Sequence, residues 1–298
     1  MASMADELAA SDDFRVLRRL RRPAVASPHG DTPTRRGLFV DVETTGLDAV
    51  TDEIIEIALV PFLYGLDGQI YEVQEPFEGL RDPGMDIPPA ITAITGITNA
   101  MVAEKRLDLD TVAGMAESAD LVIAHNAAFD RKFVERLCGE FSPKPWACSM
   151  SEIDWKSEGY EGVKLAYLAM GAGFFYDSHR AANDCLAAIE LLAAPLRSTG
   201  KPAMERLLTS ARRTTWRIWA EGAPFARKDE LKVRGYRWNG DGDGGLKCWY
   251  IDVDDASRQA ELDFLRTEIY SRNIAPKMRK LAAYDRFSSR QGAGDQST

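Results

Sequence analysis

Asp41 and Glu43 stand two apart in the run Leu38-Phe39-Val40-Asp41-Val42-Glu43-Thr44. Side chains alternate along a strand, so both carboxylates face one way while Val40 and Val42 face the other, into a core. Two acids side by side repel each other unless something positive stands between them. A divalent cation is the natural complement, and a pair of exposed strand-end acids is the plainer alternative. A second element, His125-Asn126-Ala127-Ala128-Phe129-Asp130, closes an apolar stretch and opens a helix. Asp130 falls in the first turn, where the helix dipole favours negative charge. The third element is His179-Arg180-Ala181-Ala182-Asn183-Asp184. Five residues of regular helix subtend roughly 500°, which leaves the two ends about 140° apart. His179 and Asp184 therefore converge only if His179 lies ahead of the helix, as the glycine-bearing stretch 171–178 allows.

These residues need a scaffold, and the hydrophobic pattern supplies one. Segments 38–44, 54–64 and 69–77 read as strands joined by short turns, an antiparallel meander. Segments 121–126 and 145–150 read as further buried strands. Segments 88–97, 112–119, 128–141, 165–170 and 180–196 carry helical periodicity. Strands followed by alternating helices and strands predict an α/β fold, a mixed sheet with helices on its faces. Residues 1–36 read as a flexible basic extension, with Phe14, Val16, Leu17 and Leu20 on one short amphipathic turn and a Pro/Ser/Thr/Gly linker after it.

The run Phe39-Val40-Asp41-Val42-Glu43-Thr44-Thr45-Gly46-Leu47, then His125-Asn126-Ala127-x-Phe129-Asp130, then His179-x4-Asp184, resembles the three exonuclease motifs of the DEDDh family. That family includes the proofreading epsilon subunit of bacterial DNA polymerase III and ribonuclease T. Ile94-Thr95-Gly96-Ile97-Thr98 is similar to a connecting segment of epsilon-type domains. The resemblance spans about residues 37–198. It implies a ribonuclease H-like fold with a mixed five-stranded sheet flanked by helices. It further implies that Asp41, Glu43, Asp130 and Asp184 hold two Mg²⁺ or Mn²⁺ ions and that His179 is the general base for the attacking water. Thr44, Thr45, His125 and Phe129 are, by the same resemblance, candidates to hold the terminal nucleotide. The chemistry is coherent: two ions serve the entering and leaving oxygens of a phosphodiester, and an imidazole with an ordinary pKa of about 6.5 accepts a proton near neutrality.

From residue 201 the character changes. Residues 41–200 carry 11 basic and 27 acidic groups, whereas 201–298 carry 19 and 14. A basic helix at 204–213 leads into a strand at 216–220, a short helix at 228–233, a hairpin of 236–239 and 247–253, and an amphipathic helix at 256–270. This reads as a small α+β module. Lys228, Lys232, Arg234, Arg237 and Trp238 are its candidate nucleic-acid contacts, because cations can follow phosphates while aromatics stack on bases. The alternative is that Trp238 and Trp249 form a small core. Asn239-Gly240-Asp241-Gly242-Asp243-Gly244 imitates the start of a calcium loop, but position twelve would be Tyr250, so it reads as a hairpin turn.

The domain plan is therefore an extension at 1–36, an exonuclease domain at 37–199, a module at 200–287 and a disordered tail at 288–298. In 298 residues, 45% hydrophobic and 28% charged, composition excludes collagenous, disordered and disulfide-scaffold classes. No apolar run approaches the ~18 residues of a membrane span, so no membrane partner is expected. Four cysteines without a C-x-x-C pair predict free thiols and a cytoplasmic, bacterial protein. The expected function is a 3′→5′ exonuclease acting on DNA ends in repair or proofreading, with a free 3′ end as its substrate. An RNA-trimming enzyme and a polymerase-associated binding module are the alternatives, and a DNA polymerase or repair complex is the expected partner.

Overall fold

The computed structural model describes residues 4–23, 25–27, 33–240 and 247–292. The chain divides into two compact units, Met1–Ser210 and Ala211–Thr298.

In the first unit, β1 (Thr34–Thr44) and β2 (Ile54–Gly65) form a long antiparallel pair. β3 (Ile70–Val73) and β4 (Phe77–Leu80) both pair antiparallel with β2, β3 along its end and β4 along its beginning. β5 (Leu121–Ala124) lies parallel to β1, and β6 (Trp146–Cys148) lies parallel to β5. The sheet order is β3-β2-β1-β5-β6, so the centre is mixed and the meander forms one side. The single third strand expected at 69–77 is instead two pieces that share one position. Pro76 has no N–H to give the ladder, and pairing resumes only at Phe77.

The helices of this unit include α1 (Pro89–Thr95), α2 (Leu109–Ser118), α3 (Ala127–Leu137), α4 (Leu165–Ala172) and α5 (Ala181–Ala193). Leu38, Phe39, Val40 and Val42 of β1 are all buried, as are Ile54 through Val60 of β2. Two covered faces explain why these strands read as near-continuous apolar runs. Gly37 sits opposite Phe62 in the β1–β2 register, and a Cβ there would meet the Phe62 ring. Arg131 is fully buried within α3, where Glu135 accepts from its Nε at 2.7 Å and the Trp146 ring lies 5.4 Å from its guanidinium.

The extension differs from expectation. Segment 14–20 is not a helical turn. Arg18–Arg19 is extended and pairs in parallel with Phe174–Phe175. Arg18 N–H donates to Gly173 O, Leu20 N–H donates to Phe175 O, and Arg15 donates to Met170 O. Arg19 pairs with Asp177 at 2.6 Å and lies over the Phe175 ring. Unpaired backbone groups beside a two-residue strand outweigh the weak helical preference of so short a segment.

The second unit runs β7 (Thr215–Ala220), α6 (Lys228–Val233), β8 (Arg237–Trp238), β9 (Trp249–Val253), α7 (Asp255–Phe264) and β10 (Met278–Leu281). Its antiparallel sheet has the order β8-β9-β7-β10. This β-α-β-β-α-β arrangement is the split βαβ topology. Ile218, Ala220, Leu231, Tyr236, Leu262, Leu265 and Ile269 form its core, with Trp249 packed against it. β10 has no counterpart in the sequence reading, because Met278-Arg279-Lys280-Leu281 lacks the β-branched and aromatic residues that mark strands. The expected helix at 256–270 ends instead in a π turn, Leu265–Ile269. Ser288 is buried and Ser289–Gly292 forms a 3₁₀ turn, where disorder is expected. The turn at 241–246 and the tail at 293–298 lie outside the described residues. No helix among the described residues is long and apolar enough to cross a membrane.

The Gly37–Phe62 contact makes a specific demand. Gly37→Ala should cost about 1–3 kcal/mol by overpacking. Combined with Phe62→Leu it should cost less than the sum of the two single changes, as read by chemical denaturation.

Candidate active site

β1 carries Asp41 and Glu43 to the end of the sheet. Their alternation with Val40 and Val42 holds, and a register shift between Glu43 and Thr44 then breaks the pairing with β2. α5 brings Asp184. One ligand oxygen from each of Asp41, Glu43 and Asp184 lies within 4.8 Å of the others. Asp130 is buried in the first turn of α3 and stands outside that trio. Its Oδ1 accepts from Val42 N–H at 3.2 Å. The β1–β5 pairing ends at Phe39 and Ile123, so Asp130 takes up a strand N–H that the ladder has released.

Asn126 makes the turn from β5 into α3 with φ +95°, a left-handed conformation that asparagine tolerates better than most residues. His179 lies ahead of α5, as convergence with Asp184 requires, with φ +64°. Its backbone N–H donates to Asp184 Oδ2 at 2.9 Å, and Tyr176 O–H donates to Asp184 Oδ1 at 2.9 Å. Both oxygens of Asp184 are thus oriented from the loop that carries the histidine. Asp41, Glu43, His125, Asn126, Phe129, Asp130, Leu165, His179 and Asp184 line one cleft of about 340 Å³.

The nucleotide candidates separate. Phe129 lines the cleft and stacks, tilted, on Phe133 at 4.9 Å. His125 also lines it, but Ser149 Oγ lies 2.9 Å from Nδ1 and Val163 O lies 2.8 Å from Nε2. Nε2–H therefore donates to the carbonyl, Nδ1 accepts from the serine, and burial lowers the pKa of this imidazole. Thr44 and Thr45 are buried and outside the cleft lining. Thr44 Oγ1 donates to Gly46 O. Thr45 Oγ1 donates to Asp52 and accepts from Glu53 N–H, so these hydroxyls staple the 45–53 loop instead of facing the cleft.

A family profile described as "Exonuclease" matches residues 38–192, more than half of the chain. The chain belongs to the exonuclease family. It is a DEDDh-type member with a ribonuclease H-like fold, and membership places this domain in the 3′→5′ exonuclease class of phosphodiester hydrolases. Among its relatives is a DNA polymerase III PolC-type protein of Clostridium perfringens, 29% identical over 57% of this chain and 12% of that protein. A DNA polymerase III subunit epsilon-like protein of Rhodobacter capsulatus is 37% identical over 42% of this chain and 17% of its own length. The chain thus spans a small part of the curated relatives it matches. Among solved structures, exonuclease X in complex with 5′ overhanging duplex DNA is 27% identical, covering 58% of this chain and 99% of that one with a TM-score of 0.44. An exonuclease I structure is 17% identical over 84% of this chain and 63% of its own, with a TM-score of 0.48.

Exonuclease membership implies dependence on divalent metal, and the donor set fits it. Burial and mutual repulsion push Asp41 well above the usual carboxylate range, Glu43 to about 7 and Asp130 to about 8, and Asp184 is also raised. Carboxylates gathered this closely are costly as anions without a cation, and hard oxygen donors suit a hard divalent ion.

Two residues that sequence reasoning passed over hold the arrangement. Glu56 stands directly opposite Glu43 in the β1–β2 register, a like-charge pairing that destabilises a sheet. Arg180, adjacent to His179, answers it. Its Nη2 donates to Glu56 Oε1 at 2.7 Å and its Nε to the same oxygen at 3.1 Å. Ala181 N–H donates to Glu56 Oε2 at 3.0 Å, so the buried Glu56 also caps α5. The one sequence signal for Glu56 is an acid inside the apolar run Ile54-Ile55-Glu56-Ile57-Ala58-Leu59.

Two outcomes follow. Arg180→Ala should lower turnover about 10- to 100-fold by loosening the His179 loop, and should lower the melting temperature by leaving Glu56 short of partners. Adding Glu56→Gln should recover part of the melting temperature but not turnover. Because the folded pKa values of Glu43 and Asp130 lie above their ordinary values of 4.5 and 3.8, the metal-free fold binds more protons than the unfolded chain between those limits. In EDTA this site should destabilise the fold progressively as pH rises from about 4 to about 8, and saturating Mg²⁺ or Mn²⁺ should reverse the loss, as followed by thermal unfolding across that range.

Proposed function

We propose that this chain removes nucleotides from the 3′ ends of DNA, with single strands preferred, in repair or proofreading. The observation that carries the reading is the convergence of the Asp41, Glu43 and Asp184 oxygens in a cleft that also holds His179 and Phe129. Asp41, Glu43, Asp130 and Asp184 would hold two divalent ions, and hard carboxylate donors favour Mg²⁺ or Mn²⁺ over softer metals. When bound, such ions neutralise the phosphate and lower the pKa of coordinated water.

The remaining work falls to side chains. His179 accepts the proton of the attacking water at its imidazole. Its left-handed backbone is held by the Asp184 contact and by Arg180, so the base is presented with little freedom to lose. Tyr176 fixes the second Asp184 oxygen and thereby the carboxylate plane. Phe129 offers an aromatic face to the terminal base. His125, with both ring nitrogens satisfied by the protein, gives the nucleotide an uncharged wall. Thr44 and Thr45 act indirectly, by setting the turn after Glu43.

A polymerase or repair complex as partner is supported by the names of the polymerase III relatives. A cytoplasmic, bacterial setting is supported by four free, buried cysteines and the bacterial origin of those relatives.

A digestion ladder tests the proposal. With Mg²⁺ or Mn²⁺, a 5′-labelled single-stranded DNA should shorten stepwise from its 3′ end, and EDTA should stop it. Asp41→Ala should abolish the ladder, and His179→Ala should slow it by about 10²–10⁴-fold. Faster loss of a matched RNA would reassign the substrate, and no cleavage of either strand would overturn the stand-alone enzyme.

A further inference from the structure

The second unit uses most of its arginines internally. Arg217 and Arg237 both pair with Asp252 and both lie over the Tyr250 ring. Arg234 pairs with the buried Glu261 and lies over Phe264. Arg227 pairs with Glu230, Arg266 with Asp263, and Arg279 with Asp285. Two of the five residues singled out by sequence, Arg234 and Arg237, are therefore charge-balanced within the fold. The sheet face of Arg217, Trp219 and Tyr250 is likewise a poor platform, since Trp219 is buried and Arg217 and Arg237, which cover the Tyr250 ring, are spent on Asp252.

The lysines are used differently. Lys228 and Lys232 lie one turn apart on α6, on the same side of the helix. Neither makes an ion pair among the described residues. Each sits instead over an aromatic ring: Lys228 Nζ lies 4.3 Å from the Phe225 centroid and Lys232 Nζ lies 5.9 Å from that of Trp249. Trp249 meets Trp238 edge to face at 5.5 Å. Phe225 is 80% exposed and Trp238 54% exposed. The result is a strip, Phe225–Lys228–Lys232–Trp249–Trp238, in which two lysines without ion pairs among the described residues are flanked by aromatic rings. Glu230 is taken up by Arg227, and Asp229 lies about 100° from Lys228 and about 60° from Lys232 around α6 without pairing with either among the described residues.

We propose that this strip binds single-stranded nucleic acid, with Trp238 and Phe225 stacking on unpaired bases and Lys228 and Lys232 meeting adjacent phosphates. A protein-binding face of this composition would need acidic partners and would not call for exposed rings at both ends of the lysine pair. A duplex would hide the base faces that the rings require. The inference deepens the nuclease reading by assigning where the strand is held outside the cleft, and it rests on that reading only for the identity of the strand.

The test uses the full chain carrying Asp41→Ala, in EDTA, so that binding is read without cleavage. Fluorescence anisotropy is measured with labelled dT and rU oligomers and with a duplex, across a salt series. Trp238→Ala should weaken oligomer binding about 5-fold or more, and Trp238→Phe should retain most of it. Lys228→Ala with Lys232→Ala should weaken it further and flatten the salt slope by about 1.4, the value for two single-strand phosphate contacts. The tighter of the dT and rU arms names the strand. Unchanged affinity and slope in all three variants, each folded by circular dichroism, would overturn the proposal and leave the strip as a protein-facing surface. Preference for duplex, indifferent to Trp238→Ala, would overturn it equally. Failure of the nuclease reading would appear separately, as a wild-type chain that binds but does not cleave.

Discussion

Mutual repulsion among buried and partly buried carboxylates shapes the site of the first unit. Asp41, Glu43, Asp130 and Asp184 come from three elements far apart in sequence, and the fold brings them together against their charge. Two of them are restrained by hydrogen bonds from the surrounding chain. Val42 N–H, released where β5 ends, holds Asp130, while His179 N–H and Tyr176 O–H hold Asp184. Glu56 brings a fifth acid to the same strand pair, and Arg180 balances it while fixing the start of α5. The convergence of the carboxylates and the placement of His179 are thus tied to one electrostatic problem and share one solution.

Much of this was legible beforehand. Period-two alternation placed Asp41 and Glu43 on one side of a strand, and the geometry of a helix required His179 to precede α5. Both are short-range constraints that a local pattern encodes. Glu56 was not legible, because its meaning depends on a cross-strand neighbour and on an arginine 124 residues away. The hydrogen bonds of Thr44 and Thr45 were not legible for a related reason. Their hydroxyls find Gly46, Asp52 and Glu53 in a loop whose closure no periodicity announces. The split of the third strand was readable from Pro76, but only once β2 was known to offer a continuous edge on both sides of it.

The second unit shows how composition misleads about charge. A surplus of basic residues suggests a uniformly cationic surface, yet arginine and lysine divide the labour. The planar, weakly hydrated guanidinium is suited to partly buried pairing, and here it is tied to Asp252, Glu261 and their neighbours. The ammonium stays at the surface on a flexible stem. A count of charges therefore overstates how much of this unit's basic surplus stands free at the surface.

The arm at Arg18–Arg19 has a consequence of a different kind. Phe174–Phe175 is a very short strand whose pairing partner is this arm. Without it, two aromatic residues and their backbone would be open to strand addition by another molecule. The same strand leads through Tyr176 and Asp177 into the turn that bears His179. The chain thus covers this edge with its own N-terminal segment, and the same stretch of backbone pairing anchors the start of the loop that bears His179.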